Sequence, residues 1–383
     1  MDGLLRILIV DESVPGRKFL ANALSGLDGV KAVDSVANGR IALTRLRQLS
    51  VDVILFDVMG TTGNLLETLE KIVDNYPQIS VVLMGEEDAV APDMVVKSFQ
   101  IGALEYIRKP SLGGDEITET KKFRRLFFPL LGLLHARRNI RAMKSEIPPS
   151  PASPGAVALP QRKNGIVGSP SESVFPKIAS LLPRRFDLIA LGISTGGPNA
   201  LAEVIPKLPA DLGVPILLVQ HMPAGMTAAL ADSLNMKSRL AVREAIHREE
   251  VLPNTVYIAP GGRHMLVIRE TGVSNPFRRV IALSDSPPEN SCRPSVDVLF
   301  RSVAAAYYGN ILAIIMTGMG YDGLAGIRIM KEQGCYCLTQ TEETCTVYGM
   351  PRVVNNAQLA DERIRLDRLA ARITELIGRG RGK

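Results

Sequence analysis

The sequence predicts an α/β protein made of two doubly wound parallel-sheet domains joined by a linker. Two observations carry this expectation. Short apolar runs alternate with helical periods twice along the chain, and a Pro/Ser-rich stretch separates the two series. A third observation bears on function: acidic, hydroxyl and imidazole side chains recur at strand C-termini, the edge where open α/β sheets bind ligands.

In the first series Leu5–Val10, Val51–Phe56, Ile79–Met84 and Glu105–Arg108 read as strands. Between them Ser13–Leu24, Asn64–Asn75 and Met94–Gln100 carry helical periods. Right-handed crossovers then place every strand C-terminus on one edge. Residues 145–182 are rich in Pro, Ser, Gly and Ala and hold few large apolar side chains. Such a stretch cannot bury enough surface to offset chain entropy, so it reads as a linker. From Phe186 the strands are Asp187–Ile193, Pro215–Gln220, Val256–Ala259, Met265–Arg269, Val280–Leu283, Ile311–Thr317 and Tyr336–Gln340. The helices are Pro198–Pro206, Gly225–Leu234, Ser295–Tyr307, Gly323–Glu332 and Leu366–Gly378. Runs such as LIALGI and ILAIIMTG suit central strands covered on both faces. The expected division is 1–125, then a basic helix end and linker over 126–182, then 183–383.

Composition narrows the class. The 383 residues allow two or three domains, and 46% hydrophobic with 22% charged residues is globular usage, which excludes wholesale disorder. No apolar run approaches the roughly 18–20 residues of a membrane helix, and the acidic N-terminus does not read as a secretory signal, so a cytoplasmic protein without membrane insertion is expected. Four cysteines in no zinc or C-x-x-C spacing read as ordinary buried thiols. The net charge of +6 is partly local, since Lys121 to Lys144 holds eight basic residues and no acid. No DNA-binding motif accompanies that run, so it reads as a solvated helix end and no nucleic acid is expected.

Two strand-edge constellations stand out. In the first half, Asp11 and Glu12 end the first strand, Asp57 ends VILFD, and Lys109 follows the last strand. Singly, such residues are ordinary surface groups. Jointly, clustered carboxylates repel unless a cation joins them, and hard oxygen ligands at a wet edge suit Mg²⁺. A metal and an ammonium group can hold a transferring phosphoryl group while one carboxylate, Asp57, acts as nucleophile.

In the second half, the strand DLIALGI runs into Ser194-Thr195-Gly196-Gly197 and a helix. A hydroxyl on such a turn lies beside outward-pointing helix N–H groups that can stabilise an oxyanion. Gly192-Ile193-Ser194-Thr195-Gly196 matches G-x-S-x-G, a weak signal alone, and an anion-binding loop or a merely tight turn is the alternative. A base and its orienter should come from neighbouring strand ends: His221 follows ILLVQ, and Asp322 follows Ile311–Thr317. Arg293 to Asp297 could line the cleft or cap the helix they begin, and Arg263 and His264 read as structural or surface residues.

Residues 1–120 resemble the response-regulator receiver domain through LIVDES, ILFDVM and GALEYIRKP. The resemblance implies a flavodoxin-like fold, phospho-acceptor Asp57, Mg²⁺ held with Asp11 and Glu12, Lys109 on the phosphoryl group and a histidine kinase as phosphodonor. Two departures weaken it: Gly85 stands where receivers carry Ser or Thr, and the loop after Asp57 lacks the usual Met-Pro. Tyr106 keeps the partner aromatic of the switch. Residues 185–380 resemble the chemotaxis protein-glutamate methylesterases through LGISTGGPNAL, QHMPAGMT, VYIAPGGRHM, CRPSVDVLF, MTGMGYDG and TVYGMP. This implies a Rossmann-like domain that hydrolyses glutamyl methyl esters, and deamidates glutamines, on methyl-accepting chemotaxis receptors. It also implies Ser194 as nucleophile, His221 as base, Asp322 as orienter, the Met319 N–H as oxyanion donor, Thr195 beside the nucleophile, and no cofactor for the esterase. A monomer is expected. Two readings stay open beside it: a serine hydrolase for another acyl substrate, and a receiver-linked binding regulator whose triad is idle.

Overall fold

The computed structural model describes residues 3–59, 65–86, 91–111, 113–145, 185–270 and 278–379. The expected linker, apart from its helical start, and the loop after Asp57 from residue 60 lie outside these.

The N-terminal sheet contains β1 (Leu5–Val10), β2 (Val30–Val36), β3 (Val53–Asp57), β4 (Ser80–Gly85) and β5 (Glu105–Arg108). Its helices are α1 (Val14–Ser25), α2 (Gly39–Leu46), α3 (Leu65–Asn75), α4 (Pro92–Ile101) and α5 (Glu116–Ser145). The strand order is β2-β1-β3-β4-β5, all parallel. β3 and β4 are buried at every position, as strands covered by helices on both faces must be. Helix α1 starts where Ser13 Oγ accepts the Gly16 N–H, with Pro15 in the first turn.

The C-terminal sheet contains β6 (Leu188–Ile193), β7 (Ile216–Gln220), β8 (Ala241–Glu244), β9 (Thr255–Ile258), β12 (Ile311–Ile315), β13 (Tyr336–Gln340) and β14 (Glu362–Ile364). Between β9 and β12 lie β10 (His264–Arg269) and β11 (Arg279–Ser284). The helices are α6 (Gly197–Val204), α7 (Met226–Asn235), α8 (Val296–Tyr307), α9 (Leu324–Glu332), α10 (Met350–Asn356) and α11 (Leu366–Arg379). The order β14-β13-β12-β6-β7-β9-β8 is parallel throughout. The chain leaves β6 toward β7 on one side and returns to β12 on the other, so the C-terminal end of β6 is the topological switch point.

Two expectations change. Met265–Arg269 and Val280–Leu283 do not join the parallel sheet; β10 and β11 pair antiparallel with each other as a separate ribbon. Too little chain separates them for a parallel crossover. β2, α2, β8 and β14 went unread because polar residues interrupt their apolar patterns; β2 (VKAVDSV) is buried only at its two ends.

The two units are packed together. Helix α4 lies against α6 and α7, and Val95, Val96 and Phe99 share one apolar core with Met222, Met226 and Ala229. Gln100 bridges at the rim, donating to Ser233 Oγ (2.7 Å) and accepting from Lys237 Nζ (3.3 Å). No helix among the described residues is long and apolar enough to cross a membrane.

Candidate active site

Three adjacent strands of the C-terminal sheet end at one place. Ser194 follows β6, His221 follows β7, and Asp322 lies on the loop after β12. Parallel pairing aligns these ends: Ile193 faces Gln220, and the Ser194 and His221 N–H groups donate to Thr317 O (3.0 Å) and Ile193 O (3.2 Å). Gln220 binds the ends together, its amide donating to Ser194 O (3.0 Å) and His221 O (3.1 Å). Glycines permit the close approach. A Cβ on Gly197 would stand 1.8 Å from Gln220 Oε1, and one on Gly318 would stand 2.8 Å from Ser194 Cβ. At Gly196 the backbone is also left-handed, with φ +78°.

Asp322 is 3% exposed and is surrounded by donors. Its Oδ2 lies 2.8 Å from His221 Nε2 and accepts the Val296 N–H at 2.7 Å. Its Oδ1 accepts from Asn290 Nδ2 (2.9 Å), Ser295 Oγ (2.9 Å) and the N–H groups of Asp297 and Gly323 (3.1 Å each). Burial pushes this carboxyl up, but the bonds from His221, Asn290 and Val296 outweigh it, holding Asp322 far below the usual carboxylate range. Burial pulls the His221 imidazole down, while Asp322 and Cys292 overcome this and raise it to about 10. Of the two sequence alternatives for Arg293 to Asp297, the helix cap is the one the structure shows, and the buried part of the segment also supports Asp322 from behind. Ser295 caps α8, accepting the Val298 N–H at 3.5 Å, and the same turn aims its hydroxyl and backbone N–H groups at Asp322. His264 is structural: buried, it donates from Nε2 to Pro287 O and accepts the Ser295 N–H at Nδ1. Arg263 forms a surface pair with Asp285.

With Nε2 engaged by Asp322, Nδ1 is the imidazole atom left for proton transfer. It faces Cys292 Sγ at 3.6 Å, and among the described residues Ser194 makes no side-chain hydrogen bond to His221. Cys292 is thus not the buried thiol expected; it and Cys345 are half-buried, whereas Cys335 and Cys337 are buried. Met319 lies between Gly318 and Gly320, in a loop clamped by Gly349 and Met350 N–H bonds to Gly318 O, and its own N–H has no partner among the described residues.

The N-terminal unit reaches this edge. Glu105 of β5 accepts a hydrogen bond from Thr195 Oγ1 at 2.5 Å, and the Met319 side chain packs on the N-terminal core. Burial pushes the Glu105 carboxyl up against the opposing effects of Thr195, the Tyr106 N–H and nearby His221.

The second constellation also assembles. Lys109 Nζ lies 2.5 Å from Asp57 Oδ2 and 2.8 Å from Asp11 Oδ2, and all three residues are buried. Asp57 Oδ1 accepts the Met59 N–H (3.0 Å). Burial raises Asp57 despite Lys109, while burial of Lys109 is outweighed by its two carboxylates, which raise it. Asp11 is buried with Lys109 as the partner of its Oδ2, and exposed Glu12 adjoins it. Two buried carboxylates sharing one ammonium, with a solvent-exposed third beside them, are a donor set that fits a hard divalent cation. Gly85 ends β4 beside Arg108 and offers no hydroxyl there.

Sequence reasoning missed Gln220, Asn290, Cys292 and Glu105 as neighbours of the site. No spacing in the sequence marks Glu105, because its partner Thr195 lies in the other domain.

Fold and site together define a serine-hydrolase-like centre at a sheet switch point, covered by a phospho-acceptor-like domain. Comparison with known proteins agrees. Residues 189–373 match the CheB methylesterase family and residues 7–120 the response regulator receiver domain. The protein-glutamate methylesterase/protein-glutamine glutaminase of Desulfotalea psychrophila is 35% identical over 377 residues, covering 97% of this chain and 98% of that one. The protein of the same name from Bacillus subtilis is 34% identical over 379 residues, covering 99% and 100%. The crystal structure of the Thermotoga maritima CheB methylesterase catalytic domain is 38% identical, covers 50% of this chain and 98% of that one, and has a TM-score of 0.48. The chain belongs to the receiver-linked CheB methylesterase family.

Proposed function

We propose that Ser194, His221 and Asp322 are the nucleophile, base and orienter of a protein-glutamate methylesterase and glutaminase acting on methyl-accepting chemotaxis receptors in the cytoplasm. The observation that carries this is the His221–Asp322 bond of 2.8 Å at the ends of the strands flanking Ser194. Ser194 Oγ attacks the ester or amide carbonyl while its proton passes to His221 Nδ1, once the ring has turned from Cys292 and given up the extra proton that this contact favours. Asp322 holds the other ring nitrogen protonated and stabilises the imidazolium. The open Met319 N–H serves the oxyanion, and Thr195 adjoins the nucleophile. The imidazolium then protonates departing methanol or ammonia, and water cleaves the glutamyl-Ser194 ester by the same relay.

Residues 1–125 form the receiver, 126–182 a helix end and linker, and 183–383 the catalytic domain, in a monomer. Asp57 is the acceptor of a phosphoryl group from a histidine kinase, Lys109 contacts that group, and Asp11, Glu12 and Asp57 would hold Mg²⁺. The metal's chemistry is to offset phosphoryl charge. The docked receiver restrains the enzyme. Glu105 occupies Thr195, Met319 is tucked against the receiver, and His221 is turned onto Cys292 rather than Ser194. Methanol release from methylated receptor fragments, with and without a phosphodonor, tests the reading. Wild type should release methanol and Ser194→Ala should not; release by the variant at the wild-type rate would refute the assignment, and salt-dependent receptor or DNA binding without turnover would favour an idle triad.

A further inference from the structure

The pair His221 and Cys292 has a geometry the esterase reaction does not require. The proton-transfer nitrogen Nδ1 and the Cys292 sulfur lie 3.6 Å apart. A tetrahedral zinc ion with Zn–N near 2.1 Å and Zn–S near 2.3 Å sets its nitrogen and sulfur ligands about 3.6 Å apart. A cation could therefore enter with the ring and thiol almost where they stand, replacing the proton they share. The far side of the ring matches as well. Metal-bound histidines usually give their other N–H to a carboxylate, which fixes the ring and raises its basicity. Here Asp322 does this at 2.8 Å. Ligating atoms of His221, Cys292 and Asp322 all lie within 4.8 Å of one another. Asp322 already accepts five further hydrogen bonds from Asn290, Ser295, Val296, Asp297 and Gly323, so it remains the outer partner and not a ligand. His221 and Cys292 are both half-buried, leaving an open side for entry and for water ligands.

The geometry points to a regulatory site for a thiophilic divalent cation, zinc above all, bound by His221 Nδ1 and Cys292 Sγ with Asp322 as the outer-shell carboxylate. Binding releases the protons carried by the thiol and by Nδ1 to solvent and occupies the lone pair that would otherwise accept the Ser194 proton. The bound state is thus catalytically silent and reversed by a chelator. The donor set excludes magnesium, which prefers oxygen, so this site and the receiver pocket take different ions. The ligand set is independent of the esterase reading; only the consequence for turnover rests on it.

The test uses the full chain with Co²⁺ and Zn²⁺ as probes. Co²⁺ should give thiolate-to-cobalt charge-transfer absorption in wild type and equally in Ser194→Ala, whose inactivity does not touch the ligands. Cys292→Ser should abolish that absorption, Cys345→Ser should keep it, and His221→Gln should weaken Co²⁺ binding by on the order of tenfold or more. Zn²⁺ should lower methanol release, and Cys292→Ser, measured against its own metal-free rate, should need roughly tenfold more Zn²⁺ for the same fractional loss. Circular dichroism establishes that each variant is folded. Absorption retained in Cys292→Ser, or lost with Cys345→Ser, overturns the site. Zn²⁺ inhibition unchanged in Cys292→Ser overturns its regulatory role. Wild type that binds Co²⁺ through Cys292 but never releases methanol leaves the site standing and refutes the esterase reading instead.

Discussion

Asp322→Asn separates orientation from mere presence at the centre of the site. The carboxylate accepts from His221 Nε2 and Val296 N on one oxygen, and from Asn290, Ser295, Asp297 and Gly323 on the other. An amide fits best with its oxygen on the four-donor side. Its NH₂ then faces Val296 N–H and His221 Nε2. The Val296 N–H loses its acceptor, and His221 Nε2 must become an acceptor, which moves the ring proton to Nδ1. That is the nitrogen required to receive the Ser194 proton. A wrong-tautomer histidine in such a relay costs about 10⁴-fold in kcat. The orphaned N–H costs roughly 1–3 kcal/mol. At ~2–4 °C per kcal/mol for a domain of this size, the melting temperature falls by only a few degrees to about 12 °C. Methanol release and a thermal melt on the same preparation read both quantities. A folded variant within about tenfold of the wild-type kcat would refute the relay, because that loss is far too small for a wrong tautomer.

Other outcomes follow from the same contacts. Glu105→Ala removes the acceptor of the Thr195 hydroxyl; a hydrogen bond worth about 1–1.5 kcal/mol shifts a docking equilibrium by up to about tenfold, so activity without phosphodonor should rise by up to that factor. An unchanged rate would remove Glu105 from the docking contact. Gly85→Ser restores a hydroxyl at the end of β4 and should enlarge the stimulation produced by a phosphodonor; equal stimulation in both proteins would show that the missing hydroxyl does not limit signalling. Asp52 is lowered because the Arg6 side-chain and backbone bonds outweigh its burial. A lowered carboxyl stabilises the fold above its unfolded value, near 3.9, and that contribution disappears as pH falls through the folded value. The stability gap between wild type and Asp52→Asn should therefore be full at neutral pH and close in acid; a gap that persists unchanged at low pH would show that the ion pair is not its source.

The central strands were legible because both faces of each are covered: β3, β4, β6, β7, β12 and β13 are buried at every position. The edge strands β2, β8 and β14 hid because an edge has only part of its surface to bury; β14 (ERI) has no buried residue. Ser194, His221 and Asp322 could be proposed because strand ends of a parallel sheet converge whatever the intervening sequence. Asn290, Cys292 and Glu105 could not. The first two lie on the irregular loop that leads into α8, and Glu105 reaches the site only through packing of one domain on another. Side-chain orientation was equally hidden: no spacing in the chain tells which imidazole nitrogen Asp322 takes.

Acid-quenched turnover of a methylated receptor peptide, followed by digestion and mass mapping, addresses the nucleophile itself. The account predicts a glutamyl adduct on the peptide carrying Ser194, absent in Ser194→Ala. An adduct on another residue, or equal methanol release by the alanine variant, would contradict it.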